Sequence, residues 1–114
     1  MLRAADMTND FRETLQAIAA VLDDGQDSKA ALVRSALAGS EADFDSFLRS
    51  NDLWGGSGSI ADCGVVHRAD LRAVLERWLI LLGHQQLAKG NANQRTAMWV
   101  SAFELWRRPD TTSV

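Results

Sequence analysis

The sequence predicts an all-α fold, a single-domain bundle of four to five helices around one long central helix. Three observations predict it. Apolar residues recur at helical spacing in every long segment, glycines follow the ends of these segments, and the sequence shows neither strand-like alternation nor an internal repeat. A chain of 114 residues, with 46% hydrophobic and 24% charged residues, suits one globular domain. We expect residues 1–8 and 109–114 to be frayed.

Three helices are predicted in the first half of the chain, at about residues 10–22, 28–38 and 40–50. Asp10 with Glu13 resembles a capping box, and Ser40 is followed by acids in the first turn, where the helix dipole favours negative charge. Single-glycine connections between them predict antiparallel neighbours. The positions expected to face inward are Phe11, Leu15, Ile18, Ala19, Leu22, Leu32, Val33, Ala36, Leu37, Phe44, Phe47 and Leu48.

The most distinctive stretch is the glycine-rich segment NDLWGGSGSIADC, from Asn51 to Cys63. Its glycines and serines exclude regular structure, yet large apolar residues, Trp54 and Ile60 among them, stand on both sides. This pattern predicts an ordered loop whose glycines allow positive φ or a close approach of the backbone. The residues assigned to this structural loop are Gly55, Gly56, Gly58, Ser59 and Asp62. A phosphate-binding loop is the alternative, but no Lys-Ser or Lys-Thr follows and no strand precedes it.

The central helix is predicted from Leu71 to Lys89. Its run WLILL, from Trp78 to Leu82, is apolar on every side, which is typical of a helix enclosed on more than one side. Gly83 costs ~1 kcal/mol relative to alanine inside a helix, so it predicts either a kink or the close approach of another helix. Gly90 is the predicted stop. The apolar stripe is Leu71, Val74, Leu75, Trp78, Leu81 and Leu82, and the charged residues expected on the opposite side are Arg72, Glu76 and Arg77.

A last helix is predicted from about Gln94 to Arg107, and it stops before Pro109 because a proline disfavours helix in the preceding residue. The four tryptophans, of which two lie in this helix, are most simply core residues. Trp106 lies beside two arginines, and Trp and Arg dominate binding hot spots. An exposed anchor is therefore the alternative to a core position for Trp106.

The composition limits the cellular compartment and the kinds of chemical function that we expect. One cysteine, Cys63, cannot form an intrachain disulfide, and the N-terminus has no apolar signal core, so we predict a cytoplasmic protein. The WLILL run is far shorter than the ~20 residues of a membrane span, so no membrane association is predicted. Asp62, Cys63, His67 and His84 are too few ligands of the right type for structural zinc. We predict no enzyme, no metal and no cofactor, with a Cys63 nucleophile and a His67 base as the chemical alternative.

The charge distribution is uneven. The net charge is −5 across residues 1–57 and +2 across residues 58–114. An acidic half repels nucleic acid and favours a basic protein partner, although acids clustered at helix starts on a solvated surface explain much of the excess. The residues predicted to contact a partner are Asp23, Asp24, Asp27, Asp52 and Trp54.

The stretch LRSNDLWGGSGSIAD, from Leu48 to Asp62, resembles the signature of a family of small bacterial proteins with an LWGG-x-GSI-x-D core. The later RTAMW, from Arg95 to Trp99, is similar to a second segment of that family. Such proteins resemble the immunity proteins that are encoded beside secreted toxins. The resemblance implies a shared fold more strongly than a shared function, and it implies no catalytic residue.

These observations lead to a cytoplasmic inhibitor of the immunity or antitoxin type, which occludes a partner toxin or enzyme. Small size, the lack of a catalytic signature, the acidic first half and the rigid loop support it. A structural or adaptor module is the alternative, as a homodimer that buries Trp99 and Trp106. The second alternative is a small ligand-binding protein or enzyme that uses the GGSGS loop.

Overall fold

The computed structural model describes the backbone of residues 4–107 and the side chains of residues 11–106. All regular secondary structure in this part of the chain is helical, so the predicted all-α class is confirmed, although the described residues form seven helices and not the predicted four to five. The helices are α1 (Ala4–Asp24), α2 (Ala30–Ala38), α3 (Glu41–Leu48), α4 (Asn51–Trp54), α5 (Ile60–Cys63), α6 (Ala69–Lys89) and α7 (Thr96–Arg107). The described helices include none that is long and apolar enough to cross a membrane.

The first helix is longer than predicted. It begins at Ala4, so residues 4–8, which were expected to fray, belong to α1. Asp10, predicted to begin the helix as part of a capping box, lies inside it, where an aspartate costs only a few tenths of a kcal/mol. Residues 1–3 and 108–114, also predicted to fray, lie outside the described residues.

Both α1 and α7 pack against α6, while α2 packs on α1 and α3 on α2. Gly83 of α6 makes the contact with α7 possible, because a Cβ atom at this position would overlap the side chain of Val100. The predicted close approach of another helix at Gly83 is therefore confirmed. Gly90 ends α6 in the left-handed conformation with φ +84°, as its position predicts.

One buried glutamine joins α4, α6 and the turn after α6. Trp54 Nε1 donates to Gln86 Oε1 at 2.7 Å, and Gln86 Nε2 donates to the carbonyl oxygens of Leu48 at 2.8 Å and Asn91 at 3.2 Å. Gln86 and Trp54 are both fully buried. Because each polar group has a partner, the burial carries no unpaired donor or acceptor at these atoms.

The expected outward orientation of Arg72 and Glu76 is wrong, because both side chains are buried. Arg72 Nε lies 2.6 Å from Glu76 Oε2. The same guanidinium donates to the carbonyl oxygens of Ala61 at 2.5 Å and Gly64 at 3.0 Å, with a longer contact to Ile60. The C-terminal carbonyls of a helix as short as α5 have no helical partners, and a guanidinium supplies enough donors to satisfy them.

Several apolar residues expected to face inward are exposed instead. Trp78, expected in the core, is half-buried and packs against it with part of its ring. The run WLILL is therefore not enclosed on all sides, since α6 has a face that neither α1 nor α7 covers. The exposed members of the predicted stripes are Leu32, Val74 and Leu81. On α7, Met98, Leu105 and Trp106 are exposed, so Trp106 has the exposed position that was the alternative to a core position.

Candidate protein-interaction surface

The loop between α4 and α5 is ordered by its own side chains. Asp62 Oδ2 accepts from Gly58 N at 3.1 Å, and Ser59 Oγ accepts from Asp62 N at 3.1 Å. The Ser59 hydroxyl also donates to the Gly55 carbonyl at 3.2 Å. Ser59 is thus the N-cap of α5, and Asp62 closes the turn from inside the helix. These bonds support the structural role predicted for Ser59 and Asp62.

Two glycines in this loop are required by the backbone. Gly58 has φ +90°, a left-handed value that glycine adopts without steric cost. A Cβ atom at Gly55 would overlap the carbonyl group of Asn51. Trp54 and Ile60 on either side are fully buried, so the predicted pinning of the loop by apolar side chains is confirmed.

The hydrogen-bond pattern of the loop does not favour phosphate binding. The Gly58 N–H, which such a site would direct at the anion, donates to the Asp62 carboxylate. A carboxylate at that point repels a second anion. The helix that follows has only four residues, so its dipole adds little.

A contiguous apolar face lies on the solvent side of α7. Met98, Ala102, Leu105 and Trp106 follow each other at i, i+4, i+7 and i+8, and we call them the outer face of α7. The large side chains are 55% exposed for Met98, 62% for Leu105 and 59% for Trp106. Large apolar residues grouped in this way on a surface mark interaction sites more often than single ones do.

Aromatic contacts hold this face against the rigid loop. Trp99 Nε1 donates to the Gly55 carbonyl at 2.9 Å, which joins α7 to the loop. The Trp99 ring stacks on Phe103 with centroids 5.4 Å apart, and Phe103 meets Trp106 edge-on at 5.9 Å. Phe103 is fully buried. Trp106 therefore has one side of its ring fixed by the core and the rest exposed to solvent.

Comparison with protein-family models, with curated proteins and with solved structures finds no match. The resemblance of the LWGGSGSIAD segment to bacterial immunity-type proteins therefore stays a prediction. What this surface does is inferred from its own residues.

Two of the five predicted contact residues have structural roles. Trp54 is fully buried under α6 and cannot meet a partner, so its prediction as a contact is wrong. The Asp27 side chain is only 8% exposed and lies 3.5 Å from Lys29 Nζ. Its carboxylate accepts from the N–H groups of Lys29 and Val65, each at 2.9 Å. Val65 has φ +43°, which is strained for a β-branched residue, and Asp27 helps to hold it there.

We expect Asp27→Asn to lower the free energy of unfolding by about 1.5–3 kcal/mol at pH 7, the range for hydrogen bonds to a charged group. Partial burial acts to raise the pKa of Asp27, but the N–H groups of Val65 and Lys29 and the Lys29 charge outweigh it, so the pKa lies below 3.8. The ionised carboxylate therefore stabilises the fold fully above pH 3.8 and loses this effect as the pH falls through the folded-state pKa.

Urea unfolding of both proteins at neutral and at acidic pH checks this expectation. The difference in free energy of unfolding between the wild type and Asp27→Asn should become smaller below pH 3.8. The control is Asp52→Asn, which changes an exposed carboxylate and should cost little. An equal Asp27→Asn deficit at both pH values would contradict the role assigned to its charge.

The other three predicted contacts are exposed but do not form one patch. Asp23 is paired with Arg34, and Asp24 lies within electrostatic reach of Arg68 at the start of α6. Asp52 follows α3, whose end is bonded to Gln86 near the end of α6. The 18 residues from Arg68 to Gln86 span roughly 27 Å of helix, so Asp24 and Asp52 lie at opposite ends of the molecule.

The side chains of the chemical alternative are bonded to other groups of the described residues and not to each other. His67 Nε2 donates to the Gly25 carbonyl at 3.0 Å, and His84 Nε2 lies 2.9 Å from Glu104 Oε2 on α7. The His67 ring is thus bonded to the Gly25 carbonyl and not to Cys63. Across the part of the chain that the structure describes, no group of three or more His, Cys, Asp and Glu side chains could hold a metal ion.

The sequence pointed to Trp106 as an anchor but not to the whole outer face of α7. The available signal was the breadth of the apolar pattern, because α7 carries apolar residues on more of its circumference than one neighbouring helix can cover. A helix of this kind is either enclosed by several neighbours or exposes part of its apolar surface to solvent. The structure shows the second outcome for Met98, Leu105 and Trp106.

Proposed function

We propose that this chain is a cytoplasmic protein-binding inhibitor of the immunity or antitoxin type, which occludes a partner toxin or enzyme. The outer face of α7 carries the proposal. Its anchor, Trp106, has the residue type that dominates binding hot spots, and Met98 and Leu105 surround it with apolar area. No membrane, nucleic acid, metal or cofactor is part of this proposal.

Rigidity supports a role in binding. The stack of Trp99, Phe103 and Trp106 fixes the anchor, and the Trp99–Gly55 bond fixes α7 on the loop. A surface that is ordered before it meets its partner loses less conformational entropy on binding. The resemblance of the loop segment to immunity-type proteins fits this use of it.

Charge supports a basic partner. Asp52 in α4 and Asp62 in α5 are exposed on the two sides of the loop. Together with the net charge of −5 in residues 1–57, they would steer a basic surface towards the loop. We therefore propose that the partner presents an apolar pocket for Trp106 and, separately, a basic region that faces the loop.

The proposal also takes the described helices as one bundle arranged about α6. The packing of both α1 and α7 on α6 supports this arrangement. It would let α6 carry α7 and its outer face as a rigid unit, so that binding would not need a change in the fold.

Capture of partners from a lysate of the source organism tests the proposal. The tagged chain is the bait, bound proteins are identified by mass spectrometry, and the activity of a purified partner is then measured with and without the chain. The control bait carries Met98→Glu and Leu105→Glu, which alter only exposed positions. A stoichiometric partner that is lost with the control bait and loses activity when the chain is added would support inhibition. Recovery of the chain alone would contradict it.

A further inference from the structure

The exposed side of α6 carries a second apolar stripe, on a different face of the molecule from α7. Its members are separated by three and four residues in alternation, and we call them the α6 seam: Leu71, Val74, Trp78, Leu81, Gln85 and Ala88. Leu71 and Trp78 are half-buried against the core, and Gln85, the one polar member, accepts from Thr14 Oγ1 at 3.0 Å. Alternation of three and four is the a/d pattern of coiled coils, in which the stripe packs on another helix. Val74 is 38% exposed and Leu81 42%, although both are apolar.

The seam is concave. A depression of about 330 Å³ is lined by Val74, Arg77, Trp78 and Leu81. A second depression, of about 300 Å³, lies between α1 and α6 and shares Trp78 and Leu81 with the first. The two depressions adjoin at Trp78 and Leu81, and we take them together as a groove along α6, a form that suits a helix.

We propose that this groove is occupied by the α6 seam of a second copy of the chain, in antiparallel orientation about a two-fold axis. The seam is complementary to itself in that orientation. Antiparallel coiled coils set a positions against d positions, which places Trp78 opposite Leu81 of the second copy and Val74 opposite its Gln85. The same register places Leu71 opposite Ala88, so that large residues meet smaller ones along the seam. The two-fold axis repeats each contact.

Charges beside the seam fit the same register. Arg77 is exposed and makes no ion pair with any residue that the structure describes. One heptad further along the same flank lies His84, which is bonded to Glu104 at 2.9 Å. Antiparallel pairing brings this flank against its own copy, with Arg77 next to His84 and Glu104 of the second copy. Glu104 would then supply the carboxylate that Arg77 lacks in the single chain.

The mass of the full chain in solution tests the dimer, by sedimentation velocity over a wide range of concentration. We expect twice the chain mass of 12.5 kDa for the wild type and the single mass for Leu81→Glu. Arg77→Glu, which changes an exposed side chain, should also shift the protein towards the monomer. The matched control is Leu105→Glu on the outer face of α7, which should remain dimeric. A monomeric wild type at the highest concentration, or a dimer equally lost in the control, would overturn the proposal.

Disulfide cross-linking tests the orientation. With Cys63→Ser as background, the pair Val74→Cys and Gln85→Cys should give a covalent dimer on mild oxidation, because these positions face each other. Val74→Cys alone should give none. Cross-linking by Val74→Cys alone would show parallel seams and overturn the antiparallel register.

The seam and the outer face of α7 are separate surfaces. If Leu81→Glu loses the dimer but still captures the partner fully, the proposed inhibitor role is unaffected.

Discussion

Replacing Arg72 with methionine is expected to lower the free energy of unfolding by about 3–5 kcal/mol, the range for breaking a buried ion pair by removing one partner. The side chain is buried, and its guanidinium bonds Glu76 together with carbonyl oxygens at the end of α5. Removal leaves the Glu76 carboxylate without this cation and leaves the carbonyl oxygens of Ala61 and Gly64 without this donor. A buried carboxylate that loses its cation, and a buried carbonyl oxygen that loses its donor, each lower the stability of the folded state.

Urea unfolding at pH 7 measures the effect. The control is Arg68→Met, which removes a guanidinium that is paired with Asp70 at the surface and should change stability little. Adding Glu76→Leu to Arg72→Met should recover part of the loss, because the buried carboxylate is then removed together with its cation. Similar losses for Arg72→Met and Arg68→Met would show that the buried pair does not have the role assigned to it.

Gly83→Ala is expected to destabilise the protein by about 1–3 kcal/mol, the range for overpacking in a core. At an ordinary helix position the same change stabilises by ~1 kcal/mol, so the sign of the effect is diagnostic. The added methyl group would overlap the Val100 side chain and push α7 away from α6. Thermal unfolding followed by circular dichroism measures the change.

Val100→Ala supplies the matched background for this test. With the valine methyl groups removed, Gly83→Ala should be neutral or stabilising relative to Val100→Ala alone. Gly83→Ala that stabilises the wild-type background would contradict the close contact between α6 and α7. Since α7 carries the outer face, the single variant should also weaken partner binding.

The sequence was sufficient where a feature depends on a few neighbouring residues. Ser40 caps α3 with Asp43, Gly90 ends α6, and Gly58 adopts positive φ, all from local chemistry. The ordered loop was predictable for the same reason, because large apolar residues next to glycines need a place in the core. Helical spacing was sufficient for the all-α class.

Features that depend on distant parts of the chain were not predictable. Arg72 and Glu76, four residues apart, have the pattern of a surface ion pair, and their burial follows from α5 lying against α6. Trp54 resembled a contact residue beside a loop, but its indole is bonded to Gln86, 32 residues away. Two apolar faces, on α6 and α7, also resembled core, because spacing alone does not tell which face of a helix has a neighbour.

The affinity of the captured partner for Trp106→Ala tests the central claim most directly, by calorimetric titration against the wild type. The control is Leu32→Ala on α2, where the leucine is 42% exposed and lies outside the outer face of α7. We predict that Trp106→Ala weakens binding by at least ~2 kcal/mol, or about 30-fold in Kd, and that Leu32→Ala leaves it unchanged. An unchanged Kd for Trp106→Ala, or an equal loss in both variants, would contradict a binding surface on α7.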